Sequence, residues 1–224
     1  MWWQKLSLTE KLVLVLVLIV LAAGLYLYYT DIPAFEDFVK EDHLVEWLTV
    51  IGLLLASLVS FYRFFSLFKY KKAWFLLVNF MLAVLLFVAA GEEISWGQRI
   101  LGIESSEYFK QNNLQGETNL HNLEINGVKI NKLVFTTLLG AALFIYLVIF
   151  PLIYSRNTAF KNFINRSGIS IARLYQILGF LIVILLTSLI RHDKNPELLE
   201  CGASLLFFLV ISSPVNKKIF SRGR

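Results

Sequence analysis

Long apolar blocks alternate with short polar segments along the whole chain. The blocks approach the roughly 20 mostly apolar residues that a membrane-spanning helix needs. They lack the regular alternation of apolar and polar positions that marks half-buried strands and helices. The pattern predicts an all-α integral membrane protein in which residues 1–224 form a single transmembrane helical domain. We predict about six spans, at residues 12–29, 44–64, 73–90, 133–154, 169–190 and 198–213.

The first and last blocks leave alternatives open. Lys5 and Lys11 precede the first block, as basic residues do in a cleaved signal peptide. That block exceeds the roughly 7–15 apolar residues of a signal peptide, and its final tyrosines suit the membrane interface. An uncleaved helix is therefore favoured. The last block is short and stops at Pro214, so its length supports a span least.

Composition supports the membrane assignment. Of the 224 residues, 57% are hydrophobic and the mean hydropathy is +0.66, whereas soluble domains are roughly 45–50% apolar. A net charge of +5 could indicate nucleic-acid binding, but the basic residues lie between the apolar blocks and form no stripe. We therefore predict no nucleic-acid partner. Cys201 is the single cysteine, which excludes an internal disulfide.

The two signs of charge fall on opposite sides of the predicted bundle. With a cytoplasmic N-terminus, 14 of the 21 basic residues lie in cytoplasmic segments, as the positive-inside rule requires. We therefore expect both termini in the cytoplasm. Of the 16 acids, 15 lie on the outer side, together with all three histidines. Ordinary outer loops would show this distribution, and so would an outward-facing polar site.

The longest outer segment, residues 101–132, is predicted to be a small structured extracytoplasmic cap between the third and fourth spans. Ser105 or Ser106 is placed to cap a short helix. Asn126-Gly127 between alternating residues is a strong hairpin signal. Gly116 suits a turn with positive φ.

The densest polar group is GEEISWGQR, residues 91–99, at the outer end of the third span. If the helix continues through it, Glu92, Ser95 and Arg99 share one face. Glu92 then lies about 10 Å from Arg99 along the axis and needs another partner. Ionisable residues at membrane depth usually face the bundle interior or water, so Glu92 and Glu93 are candidate catalytic residues and Arg99 a candidate binding residue. The alternative is an ordinary charged helix end.

Three further outer clusters add candidates. His43 and Glu46 are i,i+3 neighbours at the start of the second span. His121 lies in the cap sequence QGETNLHN, and Arg191 and His192 precede the last span. Each cluster also has a plain structural explanation as a charged helix start, a surface loop or an interfacial anchor. We predict His121 as a third catalytic candidate and the other four as substrate-binding residues.

Outer histidines and carboxylates also suggest a divalent metal, such as zinc with three protein ligands and an open position. No H-E-x-x-H or H-x-x-x-H spacing supports it, so the cofactor stays open. An acid/base pair of Glu92 or Glu93 with His121 would need no metal. Nucleotide-binding and serine-hydrolase motifs are absent from the sequence.

The segments GEEISWGQRILGIES, LQGETNLHNL and EDHLVEWLT resemble those of a family of uncharacterised bacterial multi-pass membrane proteins. The resemblance implies a protein of the bacterial cytoplasmic membrane and carries no activity with it. The Glu-Glu pair is also similar to that of intramembrane proteases of the CAAX-processing type, in which an arginine follows after three residues. Here five residues separate Glu93 from Arg99, and the later histidine motifs of that family are missing. Protease activity is therefore not expected.

Two functional hypotheses follow. In the first, an outward-facing cavity binds or processes a lipid or lipid-linked substrate, with Glu92 or Glu93 as the base and Arg99 or Arg191 holding an anionic head group. In the second, the polar cluster is structural, in a non-enzymatic scaffold, transporter or assembly subunit. Membrane lipids are expected partners in both. A folded but inactive Glu92→Gln protein would favour the first hypothesis, and loss of folded protein the second.

Overall fold

The structure is a computed structural model that describes residues 6–120, 122–125, 128–129 and 138–222. Its eleven described α-helices confirm the all-α prediction, and β1 (Glu124–Ile125) and β2 (Val128–Lys129) form one small hairpin. The helices are α1 (Leu8–Thr30), α2 (Ile32–Phe38), α3 (Leu44–Leu67), α4 (Ala73–Glu93), α5 (Gln98–Leu101), α6 (Glu107–Asn112), α7 (Leu139–Phe144), α8 (Phe150–Arg156), α9 (Thr158–Ser167), α10 (Leu174–Ser188) and α11 (Asn195–Ser212). Tighter or wider turns add Ser95–Gly97, Ile145–Ile149 and Lys217–Phe220.

Five helices in the described ranges are long and apolar enough to cross a membrane: α1, α3, α4, the continuous helix Leu139–Arg156, and α11. The last predicted block, despite its short length, therefore forms such a helix. The predicted span at residues 169–190 is helical only over α10, which has 15 residues. That length rises about 22 Å, against a hydrocarbon core of about 30 Å. The count of six spans stays a prediction.

Local side chains set the first helix ends. Ser7 and Glu10 form a reciprocal capping box at the start of α1, in which the Ser7 backbone N–H donates to the Glu10 carboxylate at 2.8 Å. At the other end of α1, the Asp31 carboxylate accepts a hydrogen bond from the Ala34 backbone at 3.0 Å and so caps α2. This abrupt turn folds α2 back onto α1 and buries Phe35 completely.

Helix α11 is the central helix of the bundle. In its most apolar stretch of 18 residues, 56% of the residues are buried inside the protein, against 6% in the corresponding stretch of Leu139–Arg156. Helix α3 approaches it closely at Gly52, where an added Cβ would lie 2.9 Å from the backbone nitrogen of Leu205. Small residues allow such close approach between membrane helices. Helix α11 therefore packs tightly against α3 at Ser204 and Leu205.

The outer faces of the helices are apolar and exposed. Leu12, Leu58, Leu85 and Leu185, on four different helices, each expose 60–62% of their surface. Soluble monomers rarely expose large contiguous apolar patches. These faces suit contact with lipid and agree with the membrane assignment.

Polar side chains join the helices at the two opposite ends of α3. At the end that includes the N-terminus of α1, Arg173 lies 3.3 Å from Glu10 and Arg63 donates to the Ser170 hydroxyl at 3.1 Å. We call this the terminal end of the bundle. At the other end, Glu46 contacts residues that follow α4, and we call this the cap end.

The described part of the predicted cap is structured. Ser106 occupies the N-cap position of α6, although its hydroxyl makes no capping hydrogen bond. Ile125 lies opposite Val128 in an antiparallel pair, which confirms the hairpin, while its turn residues 126–127 lie outside the described residues. Gly116 has a φ of +71°, as predicted.

Candidate functional site

The helix predicted to continue to Arg99 ends instead at Glu93. The turn that follows is left-handed, with φ of +47° at Ser95, +55° at Trp96 and +74° at Gly97. Residues other than glycine rarely adopt this region, which costs them on the order of 1–3 kcal/mol each. The prediction that Glu92, Ser95 and Arg99 share one helical face is therefore wrong.

The left-handed turn places Arg99 among four carboxylates. Its Nε lies 2.8 Å from Asp42, its Nη2 2.7 Å from Glu46, and its Nη1 2.8 Å from Glu117. The same Nη1 lies 3.5 Å from Glu41. Every guanidinium nitrogen therefore donates to a protein carboxylate. We call these five residues the Arg99 cluster.

The electrostatics of the Arg99 cluster favour a fixed arginine. Burial alone would lower the pKa of Arg99, but its hydrogen bonds to Asp42 and Glu117 and the charges of Glu46 and Glu117 raise that pKa above its ordinary value. The cluster joins the start of α3, the start of α5 and the cap. These contacts support a structural role for Arg99 better than the predicted role of holding an anionic head group.

Further hydrogen bonds bind the cap to the left-handed turn. The Ser95 hydroxyl donates to Glu117 and accepts from the Asn119 amide at 2.7 Å. The Gln98 side-chain oxygen accepts from the backbone of Thr118 at 2.8 Å. The segment QGETNLHN thus lies over the cap end of the bundle through its Glu117–Asn119 portion.

Glu92 has a protein partner at each carboxylate oxygen. The Trp96 indole donates to one oxygen at 2.9 Å, and the backbone of Leu120 donates to the other at 2.5 Å. The Trp96 ring lies against Gly91, where an added Cβ would be 2.8 Å from the ring. Glu92 is buried, with 8% of its surface exposed. Its contacts are those of an anchor for the turn and the cap.

A second group of acids lies at the cap end, at the last residue of α4 and in the first turns of α11. Glu93, Glu197 and Glu200 are partly buried, and they are close enough for their like charges to repel one another. Among the described residues, none of the three carboxylates has a hydrogen-bond or ion-pair partner. Lys194 and Arg99 attract the Glu197 carboxylate electrostatically, but neither forms an ion pair with it. We call Glu93, Glu197 and Glu200 the carboxyl trio.

The two described histidines make separate contacts around α2. His43 Nδ1 lies 2.6 Å from the carbonyl oxygen of Asp37. His192 lies 3.2 Å from Glu36 through Nε2 and 2.9 Å from Asp193 through Nδ1. Each histidine thus contacts an oxygen of a residue in α2, and the structure shows no contact between the two histidines and the carboxyl trio within the described ranges.

The two remaining predicted site residues are Arg191 and His121. Arg191 is exposed, its backbone N–H donates to the Tyr28 hydroxyl at 3.3 Å, and no ion pair in the described part of the chain includes its side chain. His121 lies outside the described residues. Its predicted pairing with Glu92 or Glu93 therefore stays a prediction.

The metal alternative gains no support from the residues that the structure describes. Among them, no group of three or more His, Cys, Asp or Glu side chains is placed to hold a metal ion. In the Arg99 cluster, where four carboxylates converge, the guanidinium already occupies the position that a cation would take.

Five acids at the cap end were not among the predicted site residues: Glu41, Asp42, Glu117, Glu197 and Glu200. Glu197 and Glu200 are i,i+3 neighbours on α11 and therefore share a helical face, a spacing that the sequence does display. Their proximity to Glu93 depends on the packing of both α4 and α11 against α3, for which the sequence carries no comparable signal.

No protein-family model, curated protein or solved structure matches this chain.

Proposed function

We propose that the protein binds a lipid or lipid-linked substrate at the outer surface of a bacterial cytoplasmic membrane, and that the carboxyl trio receives the polar head of that substrate. One observation carries the proposal. Glu93, Glu197 and Glu200 lie together, partly buried, without a hydrogen bond or ion pair to any described residue. Ionisable side chains at membrane depth are costly, and they usually pair with one another or serve a function.

The Arg99 cluster provides an internal comparison. Each of its acids contacts the guanidinium, which is the arrangement that a scaffold needs. The carboxyl trio instead brings like charges together, which weakens a bundle unless a ligand or a proton compensates. A purely structural role explains the Arg99 cluster and leaves the carboxyl trio unexplained.

Exposed apolar side chains support an amphiphilic substrate. Trp96, Ile100, Leu101 and Ile103 follow α4 directly, and each exposes between 47% and 68% of its surface. Tryptophan is enriched at membrane interfaces. Apolar side chains beside a polar group of this kind suit a molecule that has a lipid tail and a polar head.

The charge of the carboxyl trio selects the chemistry of the head group. Because Arg99 is already surrounded by acids, negative charge is in excess at the cap end, which favours a head group with an ammonium. If the substrate is processed, Glu93 is the base, since both oxygens of Glu92 already accept hydrogen bonds from the protein. A general base must come within about 2.6–3.2 Å of the group it deprotonates.

We also propose six spans, with both termini in the cytoplasm and the cap outside. The residue before α10, Arg173, meets Glu10 at the terminal end, and Leu189 after α10 accepts a hydrogen bond from the Tyr29 hydroxyl at 3.1 Å. Helix α10 thus covers the same path as α1, which is long enough to cross a membrane. The concentration of basic residues in the segments assigned to the cytoplasm supports this orientation.

Native mass spectrometry of the full chain in lipid nanodiscs tests the proposal. We expect the wild-type protein to retain phosphatidylethanolamine, which carries an ammonium, over phosphatidylglycerol, which does not. Glu93→Gln, Glu197→Gln and Glu200→Gln should each weaken that preference about tenfold, since each removes a charge-assisted contact, and should leave the melting temperature unchanged or raised.

Glu92→Gln is the matched control, because Glu92 lies beside Glu93 but has protein partners at both oxygens. It should lower the melting temperature and leave the lipid preference intact in the remaining folded protein. If the three trio variants instead melt lower and keep the wild-type lipid preference, the structural alternative is correct.

A further inference from the structure

An apolar groove lies at the terminal end of the bundle, at the opposite end from the carboxyl trio. It has a volume of about 590 Å³ and is formed by α1 and α10, with Leu206 of α11 contributing to its lining. Val17, Leu178 and Ile182 are among its apolar wall residues. The groove has no connection with the substrate site proposed above, so it requires its own explanation.

The length of the groove matches one leaflet of a bilayer. It extends along α10 from Arg173 to Val183, which is about 15 Å at the rise of an α-helix. The hydrocarbon core of a bilayer is about 30 Å thick. An acyl chain that starts at the terminal end would therefore run the length of the groove within its own leaflet.

The polar end of the groove carries an arginine with free donors. Arg173 uses one nitrogen, Nη1, for a 3.3 Å contact with Glu10, and none of the hydrogen bonds in the described ranges uses its Nε or Nη2. Its side chain is 35% exposed. Arg63, at the same end of the bundle, is by contrast buried and donates from both terminal nitrogens to protein groups. Arg173 is therefore available to a ligand.

Glu10 does not neutralise Arg173 completely. The Glu10 carboxylate also accepts hydrogen bonds from the Ser7 backbone at 2.8 Å, from the Ser7 hydroxyl at 2.7 Å and from the Tyr175 hydroxyl. Its negative charge is thus shared among several donors. The mouth of the groove combines a cationic group that has unused N–H donors with an apolar channel below it.

We infer that the groove binds one acyl chain of an anionic phospholipid and that Arg173 binds the phosphate of its head group. Basic pockets between transmembrane helices are suited to anionic head groups, and an arginine fork matches phosphate geometry. A second copy of the chain could cover the apolar walls. No feature of the described surface, however, indicates an acidic side chain that would then face Arg173. A phospholipid fits both parts of the groove, with its acyl chain against the apolar walls and its phosphate at Arg173.

The experiment uses the full chain in nanodiscs and counts retained lipids by native mass spectrometry. Phosphatidylglycerol is compared with phosphatidylcholine, whose head group has no net charge. We expect wild-type protein to retain phosphatidylglycerol preferentially, and Arg173→Gln to weaken its retention about tenfold. Lys218→Gln is the matched control, because it removes an exposed positive charge after α11 without touching the groove.

A second variant tests the groove independently of charge. Ile182 is 44% exposed at the groove wall, so Ile182→Trp should fill the channel without disturbing the core. It should reduce the retention of both lipids, with a wild-type melting temperature. The inference is overturned if Lys218→Gln lowers phosphatidylglycerol retention as much as Arg173→Gln does, or if Ile182→Trp retains as much lipid as the wild type.

Discussion

Replacing Arg99 by glutamine probes the contact on which the whole cap end depends. The substitution removes the only guanidinium in the Arg99 cluster and leaves Glu41, Asp42, Glu46 and Glu117 facing one another. The chain offers a matched control in Arg191→Gln, because Arg191 is exposed near the same end and forms no ion pair within the described ranges.

The two buried partners determine the magnitude. The side chains of Glu46 and Glu117 are 5% and 12% exposed, and a hydrogen bond to a charged group of this kind contributes roughly 1.5–3 kcal/mol. The side chains of Glu41 and Asp42 are both 41% exposed, so solvent reduces each of their contributions to roughly 0–1 kcal/mol. We expect Arg99→Gln to lower the free energy of unfolding by about 3–5 kcal/mol, the range for breaking a buried ion pair.

Thermal unfolding in detergent measures this loss. For a chain of this size, 1 kcal/mol corresponds to roughly 2–4 °C, so the melting temperature should fall by about 6–20 °C. Arg191→Gln should change the free energy of unfolding by less than about 0.5 kcal/mol, as is usual for surface substitutions. If Arg99→Gln melts within a degree or two of Arg191→Gln, the Arg99 cluster does not hold the cap end together and the reasoning is refuted.

Two further substitutions test packing at the two ends of the bundle. Gly91→Ala places a Cβ 2.8 Å from the Trp96 ring, so it should destabilise the protein by roughly 1–3 kcal/mol and shift the tryptophan fluorescence; wild-type emission and melting would contradict the contact. Arg63→Met removes a cation 3.5 Å above the Phe220 ring and should release the C-terminal turn, so trypsin should cleave faster after Lys217; equal cleavage of the two proteins would show that the contact does not restrain that turn.

Most of the long helices could be predicted from the sequence because lipid imposes a simple requirement on composition. Even the helix with Pro151 continues as a single apolar element, Leu139–Arg156. The helix widens into a π-helical turn at Ile145–Ile149. This turn compensates for the backbone hydrogen bond that Pro151 cannot donate. The hairpin was also predictable, because Asn-Gly is a strong local signal.

The partners of Arg99 could not be predicted, because they depend on a helix break that the sequence hardly signals. Gly97 suits left-handed backbone, but Ser95 and Trp96 do not, and their conformation is held by contacts with Glu117 and Glu92. The contact with Glu117 comes from the cap, some twenty residues further along the chain, and the contact with Glu92 comes from the end of α4. Extending the helix through Arg99 therefore gave the wrong geometry for this segment and did not identify the four carboxylates around Arg99.

The proximity of the three acids in the carboxyl trio could not be predicted from the sequence for a related reason. Glu93 and Glu200 are more than one hundred residues apart in the chain, and they come near each other because α4 and α11 both pack against α3. That packing depends on steric details such as the close approach at Gly52. Charge sidedness indicated the cap end of the bundle as the place for a site, whereas tertiary packing decides which acids there have partners.

A density map of the full chain in lipid nanodiscs would show what lies against the carboxyl trio. We expect non-protein density that reaches from the surrounding lipid to within hydrogen-bonding distance of Glu93, Glu197 or Glu200. A map in which all three carboxylates are hydrogen-bonded to protein groups, with the lipid density ending short of them, would contradict it.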